Sequence, residues 1–212
     1  DINYIALAGV LDHLGRTGTQ PTHPLNLIGD YGGGGMYLAF GVVCGILEAQ
    51  KSGKGQVVDA AMVDGSASLM AMFHGLLSSG MWSEARGTNM LDSGAPWYDT
   101  YETKDGRWIS IGAIEGRFYE ELLQRLGIDT EPLPKQHDRA GWPTLRLRFS
   151  EIIKSKSRAE SCPSAGQQFG CPARSAGATR CGGSSLVIRL TLPRPTASAS
   201  CKKSFHTASN TA

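Results

Sequence analysis

The chain has 212 residues, of which 41% are apolar and 19% charged, and its formal net charge is +2. This length suffices for one ordinary domain, or two small ones, with a hydrophobic core. The longest apolar run, Met36 to Leu47, is interrupted by Gly41 and Gly45, so the sequence excludes a membrane span. No signal peptide follows Asp1, so we expect the chain to start within a longer protein, with the cytoplasm as its default location.

The first organised segment runs from Pro24 to Lys54. The short apolar stretch before Asp30 predicts a connection, and the glycines Gly32 to Gly35 predict a tight turn. The following run, Met36 to Gln50, is apolar on all sides and predicts a buried helix. Its two glycines lie about one turn apart, which allows a neighbouring element to approach closely.

The next segment predicts a strand followed by a helix. Gln56 to Met62 has the β-branched content of a short strand. A helix begins near Val63, since apolar residues recur after it at three- and four-residue spacing, and Gly80 is a plausible terminator. Strand, helix and glycine-rich turn in this order predict an α/β layer.

Beyond Pro96 the pattern changes to a hairpin followed by two helices. The hairpin strands, Trp97 to Thr103 and Arg107 to Ile114, flank an Asp-Gly turn. A helix from about Glu115 should end at Gly127, and a further helix runs from Trp142 to Ile153. We therefore predict the C-terminal part of a large α/β domain in residues 1–93 and a small α+β domain in residues 94–160.

The remaining residues, 161–212, form a low-complexity basic tail with six basic residues, no acidic residue and four of the five cysteines. Its charges are too sparse and scattered for a nucleic-acid arm. The cysteine spacing fits neither a metal site nor a disulfide module, so free thiols are expected. We expect the tail to be disordered or non-native, and the abrupt loss of acids after Glu160 suggests translation in a shifted reading frame.

Few residues carry a chemical signal on their own. The glycine clusters match neither the dinucleotide-binding nor the phosphate-loop pattern, and no histidine stands in a metal-binding motif. Asp30 stands out because a carboxylate between an apolar stretch and a glycine turn is costly unless it is paired or used. Glu115, between an apolar strand end and a helix start, could be catalytic or could simply interact with the positive end of the helix.

Five separated motifs carry a family resemblance that continues from residue 1 to about 160. They are Asp1 to Tyr4, Pro24 to Asp30, Gly53 to Asp59, Asn89 to Asp92 with Gly94 to Pro96, and Gly112 to Glu115. Together they resemble the α-methylacyl-CoA racemases of the type III CoA-transferase (CaiB/BaiF-like) superfamily. The resemblance implies an isomerase that interconverts the two C2 epimers of 2-methyl-branched acyl-CoA thioesters. The resemblance implies no metal or redox cofactor, and CoA enters only as part of the substrate.

The resemblance also implies roles for individual residues. Two groups exchange a proton on opposite faces of C2, and they are Asp30 and a histidine expected immediately before Asp1. Glu115 matches the glutamate that orients this histidine. The backbone N–H of Asp1 would bind the thioester oxygen. The expected substrate-binding residues are Asn26 in the active-site loop, and Met62, Met90 and Tyr98 on the acyl-binding surface, although Met62 could equally well fill the core.

Two alternatives to racemisation remain open at this point. In the CoA-transferases of the superfamily the aspartate at the position of Asp30 is a nucleophile that forms covalent intermediates. Family members are also homodimers whose site combines two subunits, and most of the CoA-binding half would precede Asp1. The chain could therefore be a truncated product without activity of its own.

Overall fold

The computed structural model describes residues 1–161 and the backbone of residues 169–170. These residues belong to one compact unit, Asp1–Cys181. The predicted basic tail lies outside the described residues except for residue 161 and residues 169–170. The division into a large and a small domain at residues 93 and 94 stays a prediction.

The described chain is a mixture of helices and strands, with all of its regular strands after residue 97. In chain order the elements are α1 (Ile2–Leu7), a 3-10 turn (Leu11–His13), a π-helix (Leu27–Met36), α2 (Tyr37–Ser52), α3 (Met62–Leu69), α4 (Ala71–Ser78), β1 (Tyr98–Glu102), β2 (Trp108–Gly112), α5 (Gly116–Leu126), a 3-10 turn (Arg139–Gly141), α6 (Trp142–Lys154), α7 (Arg158–Ser161) and β3 (Phe169–Gly170).

The predicted hairpin is confirmed. β1 and β2 pair antiparallel, with Tyr98 opposite Gly112 and Glu102 opposite Trp108. The turn between them contains Gly106 with a φ of 66°, a conformation that favours glycine. β3 extends the sheet by pairing antiparallel with β2, although no regular structure was expected beyond residue 160.

The main core forms where one face of this sheet meets the two helices that follow it. Alternate strand residues, such as Tyr101 and Ile109, are buried, as period-two side-chain alternation requires. The helices contribute Leu122 from α5 and Leu145 and Phe149 from α6, all without solvent exposure. The starts and ends predicted for both helices are confirmed, including the left-handed Gly127 that ends α5.

The glycine-rich segment is helical, so the predicted connection and tight turn are wrong. Leu27–Met36 forms a π-helix that continues directly into α2. The glycines are required by close packing rather than by a turn. A Cβ atom at Gly33 would lie only 2.7 Å from Ser66 Oγ, and one at Gly65 of α3 would overlap the Gly33 carbonyl.

The prediction of a buried helix is also wrong for the described residues, because no residue of α2 is buried. Phe40 is 72% exposed and Val43 is 56% exposed. The continuous helix Leu27–Ser52 is long and apolar enough to cross a membrane by length and composition alone. The ground on which the sequence excluded a membrane span is therefore wrong, because Gly41 and Gly45 do not interrupt the helix; core helices of soluble proteins meet the same length and composition criteria.

The strand predicted for Gln56 to Met62 does not form. Residues 54–61 have no regular secondary structure, and no described strand lies beside them to supply hydrogen bonds. Val58 instead packs on α2, where a Cβ atom at Gly41 would lie 2.6 Å from Val58 Cγ1. The close approach predicted for the glycine pair is therefore confirmed, with an extended segment as the neighbour.

Candidate active site

Three of the predicted site residues meet where the π-helix begins. The backbone N–H of Asp30 donates a 2.7 Å hydrogen bond to Asp1 Oδ2, although the two residues are 29 positions apart. Asn26 Nδ2 donates to Asp30 Oδ2 over 3.3 Å. The main-chain nitrogen of Asp1 lies 4.0 Å from Asp30 Oδ1. A main-chain nitrogen and a carboxylate therefore face each other across a short gap.

The two carboxylates of this cluster differ in environment. The side chain of Asp1 is 12% exposed, whereas that of Asp30 is 45% exposed. Asp1 uses its Oδ2 to hold the backbone of the π-helix, and its Oδ1 is buried without a hydrogen-bond partner in the described structure. Asp1 is thus a structural acceptor, and Asp30 is the carboxylate that an external molecule can reach.

Met62 joins the cluster through a glycine. A Cβ atom at Gly29 would overlap the Asp1 carboxylate and would lie 2.9 Å from Met62 Sδ. Glycine at position 29 therefore lets α3 and the start of α1 close on the π-helix next to Asp30. Asp1, Asn26, Asp30 and Met62 therefore lie in one cluster within a single chain.

The other three predicted residues lie elsewhere in the chain. Glu115 is exposed and is the N-cap of α5, with no side-chain capping hydrogen bond. Tyr98, 39% exposed, begins β1, and Met90 packs against the main core. Within one chain, none of these three residues contacts Asp30 in the described structure. Their positions are determined by the core in which the hairpin packs against α5 and α6.

The family of the chain follows from its sequence match. The model of CoA-transferase family III matches residues 1–177. The chain belongs to CoA-transferase family III. The match extends beyond residue 160, where we expected the resemblance to end.

The curated relatives of this CoA-transferase family III chain include two enzymes named alpha-methylacyl-CoA racemase. The mouse protein is 46% identical over 162 residues, which are 76% of this chain and 42% of the relative. The human protein is 44% identical over 162 residues, which again are 76% of this chain and 42% of the relative. Succinyl-CoA–D-citramalate CoA-transferase of Chloroflexus aurantiacus is 33% identical over 109 residues, 50% of this chain and 27% of the relative. This chain thus spans less than half the length of the curated relatives it matches.

Solved structures confirm the fold of the family. A CAIB/BAIF family protein from Brucella suis aligns with a TM-score of 0.61 at 22% identity, over 82% of this chain and 47% of that one. The hypothetical protein Rv3272 from Mycobacterium tuberculosis aligns with a TM-score of 0.60 at 20% identity, over 82% and 47% of the two chains. At these identities the likeness establishes the fold alone.

Sequence reasoning missed a buried ion cluster that joins the N-terminal segment of the family III chain to the hairpin. The side chain of Asp99 on β1 is 2% exposed and accepts hydrogen bonds from Arg16 Nη2 at 2.6 Å and Nη1 at 3.1 Å. Arg146 of α6 binds the same carboxylate and donates to the carbonyl oxygens of Ser93 and Gly94. Nothing in the spacing of these residues reveals the cluster.

The pKa of Asp99 reflects two opposing effects. Burial raises the pKa of a carboxyl group, but the hydrogen bonds from Arg16, from the backbone N–H of Thr100 and from Arg146 lower it. Lowering prevails, and the pKa lies below the ordinary aspartate value. Asp99 is therefore a stable anion that fixes two arginines.

The loop before β1 is held by a second network that the sequence did not indicate. Asn89 is fully buried, accepts from the backbone N–H of Ser83 at 2.7 Å and donates to its carbonyl oxygen at 2.9 Å. Asp92 accepts from Asn89 Nδ2 and from three backbone N–H groups of the same loop. These bonds fix the segment that carries Met90.

The segment before Glu115 is also fixed. Gln136 Nε2 donates to the carbonyl oxygens of Ala113 and Ile114 at 3.1 and 2.9 Å. Glu115 therefore projects from a rigid strand end. Among the described residues, no group of three or more His, Cys, Asp or Glu side chains is placed to hold a metal ion.

Proposed function

We propose that this chain contributes to a racemase that epimerises 2-methyl-branched acyl-CoA thioesters at C2. The proposal takes its substrate class from the two relatives named alpha-methylacyl-CoA racemase, which are 44–46% identical to the chain. The structural observation that supports the proposal is that the exposed carboxylate of Asp30 lies 4.0 Å from the main-chain nitrogen of Asp1.

The chemistry requires an acid, a base and a stabilised enolate. Removal of the C2 proton leaves negative charge on the thioester oxygen, and a fixed N–H donor at that oxygen lowers the barrier. The main-chain N–H of Asp1 supplies such a donor close to Asp30. Asp30 moves the proton on one face of C2, and a histidine preceding Asp1 moves it on the other face. The step needs only proton transfers, so we propose no metal or redox cofactor.

The second half of the proposed site comes from another copy of the chain. Glu115 is well fixed and exposed, yet it contacts none of the Asp30 cluster within one chain. A homodimer in which Glu115 of one copy approaches the Asp30 cluster of the other would complete the site. In this arrangement Met62, Met90 and Tyr98 form the acyl-binding surface, where methionine adapts to branched chains.

The test uses a chimaera, because the chain spans only 42% of its racemase relatives. Its matched segment replaces the corresponding segment of the mouse racemase, and washing of deuterium from D2O into C2 of 2-methylacyl-CoA is followed. We expect exchange in the chimaera and a loss of about 10²–10⁴-fold after Asp30→Asn. Met72→Leu, at a surface position of α4, is the control and should exchange normally. Exchange that survives Asp30→Asn would refute the role of Asp30.

CoA transfer is the second candidate function. It is favoured by the match to succinyl-CoA–D-citramalate CoA-transferase and by Asp30 Oδ1, which accepts no described hydrogen bond and could attack a thioester. Hydroxylamine separates the two mechanisms in the same chimaera. Covalent labelling of Asp30 in the presence of acyl-CoA indicates a transferase, whereas deuterium exchange without labelling indicates a racemase.

A further inference from the structure

A cavity of about 760 Å³ lies between residues 16–17, residues 83–94 and residues 139–146 at the start of α6. Its volume falls within the range of about 300–1,000 Å³ that is typical of small-molecule sites. The cavity lies within one compact unit of the chain, and no residue predicted for the active site lines it. It is therefore separate from the candidate active site.

The charged side chains that line this cavity are all arginines. Arg16, Arg139 and Arg146 contribute to its wall, and no Asp or Glu of the described residues does so. Glu84 and Asp138 are sequence neighbours of lining residues, but neither lines the cavity. The hydroxyl groups of the wall both donate and accept hydrogen bonds, so they do not select the charge of a ligand. The arginines do, and they favour an anion.

The carboxylate behind this wall balances only one of the three positive charges. Asp99 is 2% exposed and binds both Arg16 and Arg146. Arg139 forms no ion pair within the described structure, and its Nη2 donates to the carbonyl oxygen of Met81 at 2.8 Å. Three guanidinium groups and one carboxylate leave an excess of two positive charges. A phosphate monoester carries a charge of about −1.5 to −2 at neutral pH, which matches this excess.

Two of the arginines are held in place without a ligand. Arg16 donates through both terminal nitrogens to Asp99. Arg146 donates through Nη2 to the carbonyl oxygens of Ser93 and Gly94 at 2.6 and 3.1 Å. The Nε–H groups of both arginines have no partner among the described residues. Ordering a flexible side chain opposes binding, and here the fold has already ordered two of them.

The start of α6 adds to the positive potential of the wall. Trp142 and Pro143, at the beginning of this 13-residue helix, line the cavity. The N-cap residue is Gly141, and no side chain caps the helix by a hydrogen bond. The N-terminal end of a helix carries partial positive charge and favours anions. This end therefore reinforces the charge of the arginines beside it.

We propose that this cavity binds the dianionic phosphoryl group of a small molecule, at a site separate from the one that holds Asp30. The phosphoryl oxygens accept from the remaining N–H groups of Arg16, Arg139 and Arg146, since guanidinium groups bind phosphate by strong, charge-assisted hydrogen bonds. The group belongs either to inorganic phosphate or to a phosphate monoester, and the cavity has room for the rest of an ester. The proposal does not depend on racemase activity.

The test is isothermal titration of the full 212-residue chain with phenyl phosphate at pH 8 and low salt. Methyl phenyl phosphate is the matched ligand with one charge fewer. We expect one saturable site for phenyl phosphate and about tenfold or more weaker binding of the diester, because a charge-assisted hydrogen bond changes affinity by that factor. Inorganic phosphate distinguishes the two sources: tighter binding of phenyl phosphate identifies an ester site, and equal or weaker binding identifies a site for the free ion. Both results support the proposal.

Two pairs of variants locate the binding site. Arg139→Gln removes the guanidinium group that has no carboxylate partner and should weaken phenyl phosphate about fivefold or more. Arg117→Gln is its control, because Arg117 also lies over an aromatic ring but does not line the cavity. Ala85→Glu brings a carboxylate into the wall and should weaken binding about tenfold or more, whereas Ala85→Gln adds the same bulk without charge and should change it less than about threefold.

Thermal melting checks that each variant is folded, and the comparison of the ligands needs no variant. The proposal is overturned if neither phenyl phosphate nor inorganic phosphate shows saturable binding, or if the monoester and the diester bind equally well. Equal affinities of folded Ala85→Glu and Ala85→Gln, or equal effects of Arg139→Gln and Arg117→Gln, would also overturn it.

Discussion

Replacing Asp99 by asparagine tests whether its ion cluster stabilises the fold. Asparagine keeps the shape of the side chain but removes its charge, and it turns an N–H group toward arginine donors. Asp99 accepts from both terminal nitrogens of Arg16, from Arg146 and from the backbone N–H of Thr100. All of these bonds lose their anionic acceptor at once.

The expected cost follows from how far each partner is buried. Removing one partner of a fully buried ion pair costs about 3–5 kcal/mol. Here Asp99 is buried, but the side chains of Arg16 and Arg146 are 49% and 31% exposed, so water recovers part of their solvation. We therefore expect Asp99→Asn to lower the free energy of unfolding by about 2–3 kcal/mol.

Urea denaturation at neutral pH measures this change, and β1 itself supplies the control. Glu102 lies on the same strand and pairs with Lys154 at 3.0 Å, but both side chains are exposed. Glu102→Gln removes the same charge and should cost less than about 1 kcal/mol. If the two variants lose equal free energy of unfolding, the buried ion pairs of Asp99 contribute no more to stability than the exposed pair of Glu102, which would refute the prediction.

Three further predictions use the same denaturation assay. The pKa of Asp99 is lowered in the folded state, so in acid the unfolded chain binds a proton that the folded chain does not. The difference in free energy of unfolding between wild type and Asp99→Asn should therefore be full above about pH 4 and shrink as the pH falls below it. A difference that is independent of pH would contradict this. Gly65→Ala places a methyl group against the Gly33 carbonyl and should cost about 1–3 kcal/mol, whereas Gly75→Ala, with open space around it, should be neutral or stabilising; equal effects would disprove the close packing. Asn89→Ala leaves buried polar groups of its loop unpaired and should cost about 2–4 kcal/mol; a loss below about 1 kcal/mol would show that the loop relaxes.

Local sequence signals predicted the C-terminal half of the described fold well. The Asp-Gly turn, the amphipathic spacing after Glu115 and the glycine at position 127 each act within a few residues, so their structural outcome depends little on the rest of the chain. The wrong predictions depended on partners. A buried α2 and a strand at residues 56–62 both require neighbouring elements, and local pattern does not reveal whether the described chain provides them.

The candidate site was predictable only in part. Family resemblance singled out Asp1 and Asp30, and the structure joins them by a hydrogen bond that the sequence analysis did not predict. Spacing could not have paired them, because 29 residues separate them and the π-helix that closes the distance arises from close glycine packing. The cluster around Asp99 joins residues 83 and 47 positions apart, and no local pattern marks such a contact.

The π-helix at Leu27–Met36 determines how α2 is rotated about the helix axis relative to Asp30. It accommodates more residues in each turn than an α-helix does, so the number of glycines sets the orientation of α2 relative to Asp30. Removing a single glycine from Gly32 to Gly35 would rotate α2 by nearly a quarter of a turn relative to Asp30 and shift the contact with Val58. Insertions and deletions in this run should therefore be tolerated far less than substitutions on the outer surface of α2.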